Sequence, residues 1–291
     1  MNFSILGVFL GNKCNLECDH CIPRSSISEK GKLSSEEIAK IIEAVEKYKI
    51  PMISFTGGEP LLFYRNEIDK IISSLKGELP KIRITTNGTF LKQSNWKDYI
   101  PRNVTEIRLS YDTFHMSNLH TSDLMKLLEF CRLSGLGFYI EYILTNPTEM
   151  KVITEFPVEL RNHIKFDLAL RCGRAKDKNK YYNPKHFSIE RLRGKCPSIA
   201  EGYLLYYQGR GFAICCNNLS ETEFVPKESK YFETTSELLQ SELYQFLSGI
   251  SEFSDLALKF DRLEGADSMK CNFCETLLKR RLNNSNEKIN A

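Results

Sequence analysis

The stretch Gly11-Asn12-Lys13-Cys14-Asn15-Leu16-Glu17-Cys18-Asp19-His20-Cys21 decides how this chain is read. Its cysteines follow the spacing Cys-x3-Cys-x2-Cys. Three thiols this close cannot all pair with one another as disulfides, and they are too many for an ordinary buried core. They can wrap one corner of a soft metal centre. A structural zinc site wants four ligands. Three cysteines without an evident fourth suit a [4Fe–4S] cluster with one iron left open. An open iron is a place where a ligand can be bound and reduced. A zinc knuckle that recruits His20 or a distant cysteine is the competing reading.

Composition narrows the class. The chain has 291 residues, 42% hydrophobic and 26% charged, which suits a large α/β domain with an appendage, or two domains. Its 40 basic and 37 acidic residues leave a net charge of +3, and no basic face for nucleic acid stands out. Lys279-Arg280-Arg281 reads as the solvated end of a terminal helix. No apolar run approaches the ~18 residues of a membrane span. Met1 to Leu10 is apolar but short and lacks a basic leading segment, so it reads as a first strand and not as a signal peptide. Ten cysteines without a secretion signal point to a reducing cytoplasm and to metal, not to disulfides.

The hydrophobic pattern alternates between strand and helix. Strands are expected at Phe3–Leu10, Met52–Phe55, Ile82–Thr85, Val104–Ser110, Phe138–Leu144 and Ile164–Leu170. Ser34, Ser35 and Glu37 start a first helix, on which Ile38, Ile41, Ile42 and Val45 recur at helical spacing. Further helices are expected near Asn66–Leu75, Lys92–Tyr99, Ser122–Leu133 and Thr148–Leu160. Strand-then-helix units imply right-handed crossovers and a parallel sheet. Six units are too few for a closed eight-stranded barrel, so the expected fold is a partial (β/α)6 barrel. Ligands of such sheets lie beyond the carboxyl ends of the strands. Tyr203–Tyr207 and Gly211–Cys215, joined by Gln208-Gly209-Arg210, read as a hairpin.

At this point the chain resembles the radical S-adenosylmethionine (radical SAM) enzymes, whose signature is Cys-x3-Cys-x-aromatic-Cys. His20 fills the aromatic slot, a departure from the usual Tyr, Phe or Trp. Thr56-Gly57-Gly58-Glu59-Pro60, after the second strand, matches the family's motif for holding the methionyl amino group of S-adenosylmethionine. Two glycines let the backbone approach a ligand closely and Glu59 supplies an acceptor. Thr85-Thr86-Asn87-Gly88 borders the cofactor site in the family; alone it reads as an Asn-Gly turn. Ser110-Tyr111-Asp112 resembles the Ser-x-Asp beside the cofactor ribose and carboxylate, and His115 follows at a spacing seen in the SPASM subgroup. Arg132 lies where that subgroup often has an arginine on the cofactor carboxylate. Glu141 and Tyr142 are expected at the barrel mouth, or in a buried ion pair.

The resemblance implies that a reduced cluster injects an electron into the sulfonium of S-adenosylmethionine. The 5′-deoxyadenosyl radical so formed abstracts a hydrogen atom from substrate. An electron donor such as flavodoxin or ferredoxin is then needed. The rear cysteines, in the order Cys196, Cys215 or Cys216, Cys271 and Cys274, resemble a "twitch" domain holding one auxiliary [4Fe–4S] cluster; zinc with the same four ligands is the alternative. Adjacent Cys215 and Cys216 face opposite sides of a strand, and Cys215 is favoured as ligand. The implied organisation is a barrel over residues 1–172, a linker or active-site loop over 173–195, an auxiliary-cluster domain over 196–278 and a disordered tail over 279–291.

Three functions are open. The first is modification of a ribosomally made peptide, by epimerisation or cross-linking. Only thirteen residues precede Cys14, so a leader-binding domain at the front is not expected. The second is oxidation of a small alcohol or amino sugar, and the third a non-catalytic metal-bearing module. The missing terminal Gly-Gly weighs against a molybdenum-cofactor cyclase. Epimerisation needs a hydrogen-donor thiol. Cys172, just past the sixth strand, and Cys216 are the candidates, against a reading of Cys172 as a small buried hydrophobe. Cys131 reads as core.

Overall fold

Residues of alternating polarity build the frame. Leu6, Val8, Ile53, Phe55, Ile82, Ile84, Ile107 and Leu109 are all fully buried, and each belongs to one face of a sheet whose opposite face carries Arg83, Glu106, Arg108 and Glu141. The computed structural model describes residues 2–169, 172–175, 189–215, 225–258 and 270–289, the last ten as backbone alone. Cys216 and residues 176–188 and 259–269 lie outside these. Strands β1 (Ile5–Phe9), β2 (Met52–Thr56), β3 (Lys81–Thr86), β4 (Glu106–Ser110), β5 (Gly137–Leu144) and β6 (Ile164–Leu168) pair in parallel with their sequence neighbours. This run of six follows the expected strand order.

Two further strands extend the sheet. β7 (Tyr203–Tyr207) pairs in parallel with β1, and β8 (Gly211–Ala213) returns antiparallel, giving the order β6-β5-β4-β3-β2-β1-β7-β8. The hairpin assigned from sequence to the rear unit is therefore part of the main sheet. Its placement has a packing cause. Leu204 and Tyr206 join the main core, while Leu205 and Tyr207 form a second cluster with Ala213 and Tyr231. Each such aliphatic or aromatic side chain contributes about 1.5–3 kcal/mol when fully buried. Gly7 leaves the room Leu205 needs, because a Cβ there would sit 2.7 Å from Leu205 Cδ2.

Helices α1 (Ser35–Tyr48), α2 (Pro60–Phe63), α3 (Arg65–Ser74), α4 (Thr121–Leu133) and α5 (Val158–Arg161) fall in the crossovers. α1 starts at a capping box: Ser34 Oγ accepts the Glu37 N–H at 3.2 Å and the Glu37 carboxylate accepts the Ser34 N–H at 2.8 Å. It buries Ile38, Ile41, Ala44 and Val45. The helix expected over Lys92–Tyr99 is instead two 3-10 turns, Thr89–Lys92 and Trp96–Tyr99. The first begins at Gly88, which is left-handed at φ 76°, and each is one turn long. The helix expected over Thr148–Leu160 is a 3-10 stretch, Pro147–Glu155, cut from α5 by Pro157. Proline disfavours helical backbone at the residue before it, and Phe156 is extended at ψ 147°.

The rear residues form α6 (Pro197–Ala200), α7 (Thr235–Gln240), α8 (Glu242–Gly249), α9 (Phe253–Leu258) and α10 (Lys270–Ile289). α10 runs through most of the stretch expected as a disordered tail.

Candidate active site

The cysteine loop leaves β1 and is pinned at its base. Lys13 and Ser26 form a parallel bridge, with the Cys14 N–H donating to Ser26 O at 3.0 Å and the Ser26 N–H to Asn12 O at 3.1 Å. Among the described residues none of the nine cysteines is in a disulfide. Each of the three front sulfurs has a hydrogen-bond partner. The Leu16 N–H reaches Cys14 Sγ at 3.4 Å, the Ser25 N–H reaches Cys21 Sγ at 3.3 Å, and His115 Nε2 lies 3.4 Å from Cys18 Sγ. Such donors stabilise a metal-bound thiolate and tune the centre it holds. Burial pushes the Cys14 thiol up to about 12 and raises Cys21. As bare thiols they stay protonated, and only a metal draws them into the thiolate form. No three His, Cys, Asp or Glu side chains among the described residues sit tightly enough for a single bare ion.

The Gly57-Gly58-Glu59-Pro60 turn docks on this loop through its backbone. The Gly58 N–H donates to Gly11 O at 2.7 Å and the Glu59 N–H to Lys13 O at 2.9 Å. Only glycine fits: a Cβ on Gly58 would lie 1.9 Å from Lys13 O, and Gly57 has φ +134°. Pro60 opens α2, where its missing N–H costs nothing. Glu59 is fully buried. One carboxylate oxygen accepts from Thr86 Oγ1 at 2.6 Å and Leu61 N–H at 3.2 Å; the other accepts the Asn87 N–H at 2.7 Å. Burial nevertheless raises its pKa to about 7. Asn87 turns back to the loop, its Nδ2 donating to Asn15 Oδ1 at 3.1 Å and reaching Cys14 Sγ at 3.6 Å.

The end of β4 supplies the other wall. Ser110 closes the strand opposite Glu141. Asp112 is fully buried; its Oδ1 takes the Phe114 N–H at 2.9 Å and His115 Nδ1 at 2.8 Å. Burial opposes charge on both partners. Their pairing prevails, holding Asp112 below the carboxylate range and taking His115 up to about 10, with the Cys18 sulfur contributing. His20 lies with its ring 4.4 Å from that of Phe114 and its Nε2 3.7 Å from Asp112 Oδ2. Burial keeps it neutral, with a pKa of about 4. His20 Nδ1 and Asp112 Oδ2 are both buried without a hydrogen-bond partner. Two orphaned polar atoms beside three thiols fit a polar ligand carried on a cluster, and so the donor set fits S-adenosylmethionine.

Two residues that sequence reasoning placed here, Arg132 and Tyr142, lie elsewhere. Arg132 is on the outer side of α4, exposed, forked onto Glu129 at 2.7 and 2.9 Å. Tyr142 faces the opposite side of the sheet from Glu141 and is buried in the main core, since neighbours on a strand point to opposite faces. Glu141 takes the ion-pair alternative, with Arg108. Together with Arg83, Glu106 and Tyr139, whose ring lies 3.9 Å from Lys165 Nζ, that pair makes the inner face of the sheet polar. Tyr64, whose hydroxyl accepts the Lys13 N–H at 2.7 Å, and Arg174 hold the cysteine loop without any sequence signal of their own.

The rear cysteines are partly gathered. Burial, then the charges of Cys196 and Cys271, raise the Cys274 thiol, and the three do not sit tightly enough to form a ready ligand set for a single ion. Cys215 follows β8, its carbonyl accepting from the Tyr207 hydroxyl at 3.2 Å. Cys172 is buried, and the residue after it, Gly173, packs against the backbone of Cys21 and Ile22. Cys131 is core, as expected.

Residues 8–134 match the family model of the radical SAM superfamily. The chain carries a radical SAM domain. The protein is accordingly an enzyme of that superfamily, and its cysteine loop and Gly-Gly-Glu-Pro turn lie inside the matched region. It is 28% identical to "Putative peptide biosynthesis protein YydG" of Bacillus subtilis over 98% of this chain and 93% of that one. It is 36% identical to a GTP 3′,8-cyclase of Clostridium acetobutylicum, over 38% of this chain and 36% of the cyclase. The fold is shared with anSMEcpe holding AdoMet and the Kp18Cys peptide (TM-score 0.58, 15% identity, 97% of this chain and 99% of that one). It is shared too with Streptococcus suis SuiB bound to precursor peptide SuiA (TM-score 0.60, 12% identity, 86% and 67%).

Proposed function

We propose that this radical SAM enzyme modifies a ribosomally made peptide. The observation that carries the reading is the end-to-end similarity to YydG, over 98% of this chain, where the similarity to the cyclase covers 38%. When bound, S-adenosylmethionine on a [4Fe–4S] cluster supplies a 5′-deoxyadenosyl radical that takes a hydrogen atom from substrate. Cys14, Cys18 and Cys21 hold that cluster. Glu59 accepts from the methionyl ammonium, Gly57, Gly58 and Pro60 shape its approach, and Thr86 and Asn87 keep the Glu59 carboxylate in place. Ser110, Asp112 and His20 take the ribose and adenine side. Flavodoxin or ferredoxin serves as electron donor.

Cys196, Cys215, Cys271 and Cys274 hold an auxiliary [4Fe–4S] cluster, a reading supported by their order along the chain and by the influence of Cys196 and Cys271 on the buried Cys274 thiol. The reaction is epimerisation at an α-carbon or formation of a cross-link. Epimerisation is redox-neutral at the peptide: a thiol at Cys172 or Cys216 returns the hydrogen atom, and the thiyl radical left behind takes one electron from the flavodoxin or ferredoxin donor and one proton from solvent to restore the thiol.

The test incubates reconstituted enzyme, S-adenosylmethionine and reductant in deuterium oxide with synthetic peptides encoded beside the gene. Epimerisation gives a peptide heavier by one deuterium with 5′-deoxyadenosine released; cross-linking gives loss of a hydrogen pair. Release of 5′-deoxyadenosine that none of these peptides stimulates, with peptide mass and chirality unchanged, contradicts the peptide reading.

A further inference from the structure

We infer that the Gly173-Arg174 turn is a strap across the open side of the sheet, and that Arg174 is a positioning residue of the cluster loop. The inference rests on the reading of Cys14, Cys18 and Cys21 as cluster ligands. β6 and β1 stand five strand spacings apart in the sheet order, about 24 Å if the sheet were flat. Yet the segment after β6 meets the loop after β1 at its apex. Arg174 Nη1 donates to Cys18 O at 3.0 Å, its Nη2 donates to Ser25 O, and its backbone N–H donates to Cys21 O at 3.0 Å. Arg24, itself left-handed at φ 55°, answers by donating to Gly173 O at 3.3 Å.

Gly173 permits this approach. Its φ is +57°, and a Cβ there would lie 2.4 Å from both Cys21 O and Ile22 O. The strap therefore grips the residues that carry two of the three sulfurs, and it grips Ser25, whose N–H points at the Cys21 sulfur. The base of the loop is held by β1 and the Gly-Gly turn; its apex is held by Arg174. The guanidinium also brings a fixed positive charge beside the cluster, which stabilises the reduced, more negative state.

The experiment uses full-length protein, reconstituted anaerobically, as wild type, Arg174→Ala and Arg174→Lys. Three quantities are read: the midpoint potential of the electron paramagnetic resonance signal that responds to S-adenosylmethionine, the rate of iron loss to a chelator, and the melting temperature of the apoprotein. The signal's response to S-adenosylmethionine separates the front cluster from any rear one. In Arg174→Ala the potential falls and iron leaves about tenfold faster, the scale of a lost charge-assisted hydrogen bond. Arg174→Lys keeps the potential near wild type and loses iron at an intermediate rate. An Arg174→Ala protein that melts normally as apoprotein yet takes up no front cluster also supports the strap.

An Arg174→Ala cluster with unchanged potential and chelation rate overturns it. So does a variant whose apoprotein melts lower while its loaded cluster keeps the wild-type potential, since that is plain structural support. Absence of any S-adenosylmethionine-responsive signal in wild type overturns the cofactor reading itself.

Discussion

Asp112 grips one nitrogen of His115 at 2.8 Å, and the other nitrogen of that ring stands 3.4 Å from the sulfur of Cys18. The end of β4 is thereby tied to the loop after β1. His115→Ala removes the donor at Cys18 and strips buried Asp112 of a partner. An unpaired buried group of this kind costs about 1–3 kcal/mol. The apoprotein is expected to melt lower, and the front cluster's spectrum to change; His115→Gln, which keeps one donor, is expected to fall between. A His115→Ala protein with wild-type melting and spectrum contradicts the tie.

Glu59 is fully buried and meets three donors. In Glu59→Gln an amide N–H must face one of them, the Thr86 hydroxyl or the N–H of Leu61 or Asn87. The expected result is S-adenosylmethionine binding weakened by about tenfold or more, on the scale of one charged hydrogen bond, read by equilibrium dialysis on reconstituted protein. Equal affinity in the two proteins removes Glu59 from the cofactor site.

The same residue sets a pH dependence. Its folded pKa of about 7 stands above the ordinary 4.5. Its stabilising contribution is thus present at low pH and is lost as pH rises through about 7. Apo wild type is expected to lose stability relative to apo Glu59→Gln between those two values, because only wild type must bury a charge. Parallel melting profiles across that window count against a desolvated carboxylate.

Gly58→Ala forces a methyl into the carbonyl of Lys13. The turn must withdraw from the cluster loop, at a cost above about 2 kcal/mol. Iron uptake at the front cluster is expected to collapse, measured as iron per chain. Normal uptake would mean that the turn and the loop are not in contact.

Arg132→Ala is the matching control. Its fork on Glu129 stands in solvent on the outer side of α4, where such pairs are worth little. S-adenosylmethionine affinity is expected to stay at the wild-type value. A clear loss would return Arg132 to the site.

The parallel strands were legible because strand and helix periods differ and the first six units follow one another without interruption. The cluster loop and the Gly-Gly-Glu-Pro turn were legible because their residue types answer to chemistry. The place of Tyr203–Tyr207 was less so. A strand buried on both faces shows an unbroken apolar run, and Tyr-Leu-Leu-Tyr-Tyr is such a run, but nothing in it names β1 as its neighbour. Arg132 shows the limit of spacing: one turn of helix decides whether a side chain faces a site or solvent. Arg174 carries no local pattern, since its partners are carbonyl oxygens that lie some 150 residues away.

The most direct test of the account is iron and sulfide per chain after anaerobic reconstitution, in wild type and in a Cys14/Cys18/Cys21 triple alanine variant. Two [4Fe–4S] clusters predict about eight irons falling to about four. An iron content that the triple variant leaves unchanged would contradict the assignment of the front cysteines, and with it the radical chemistry built on them.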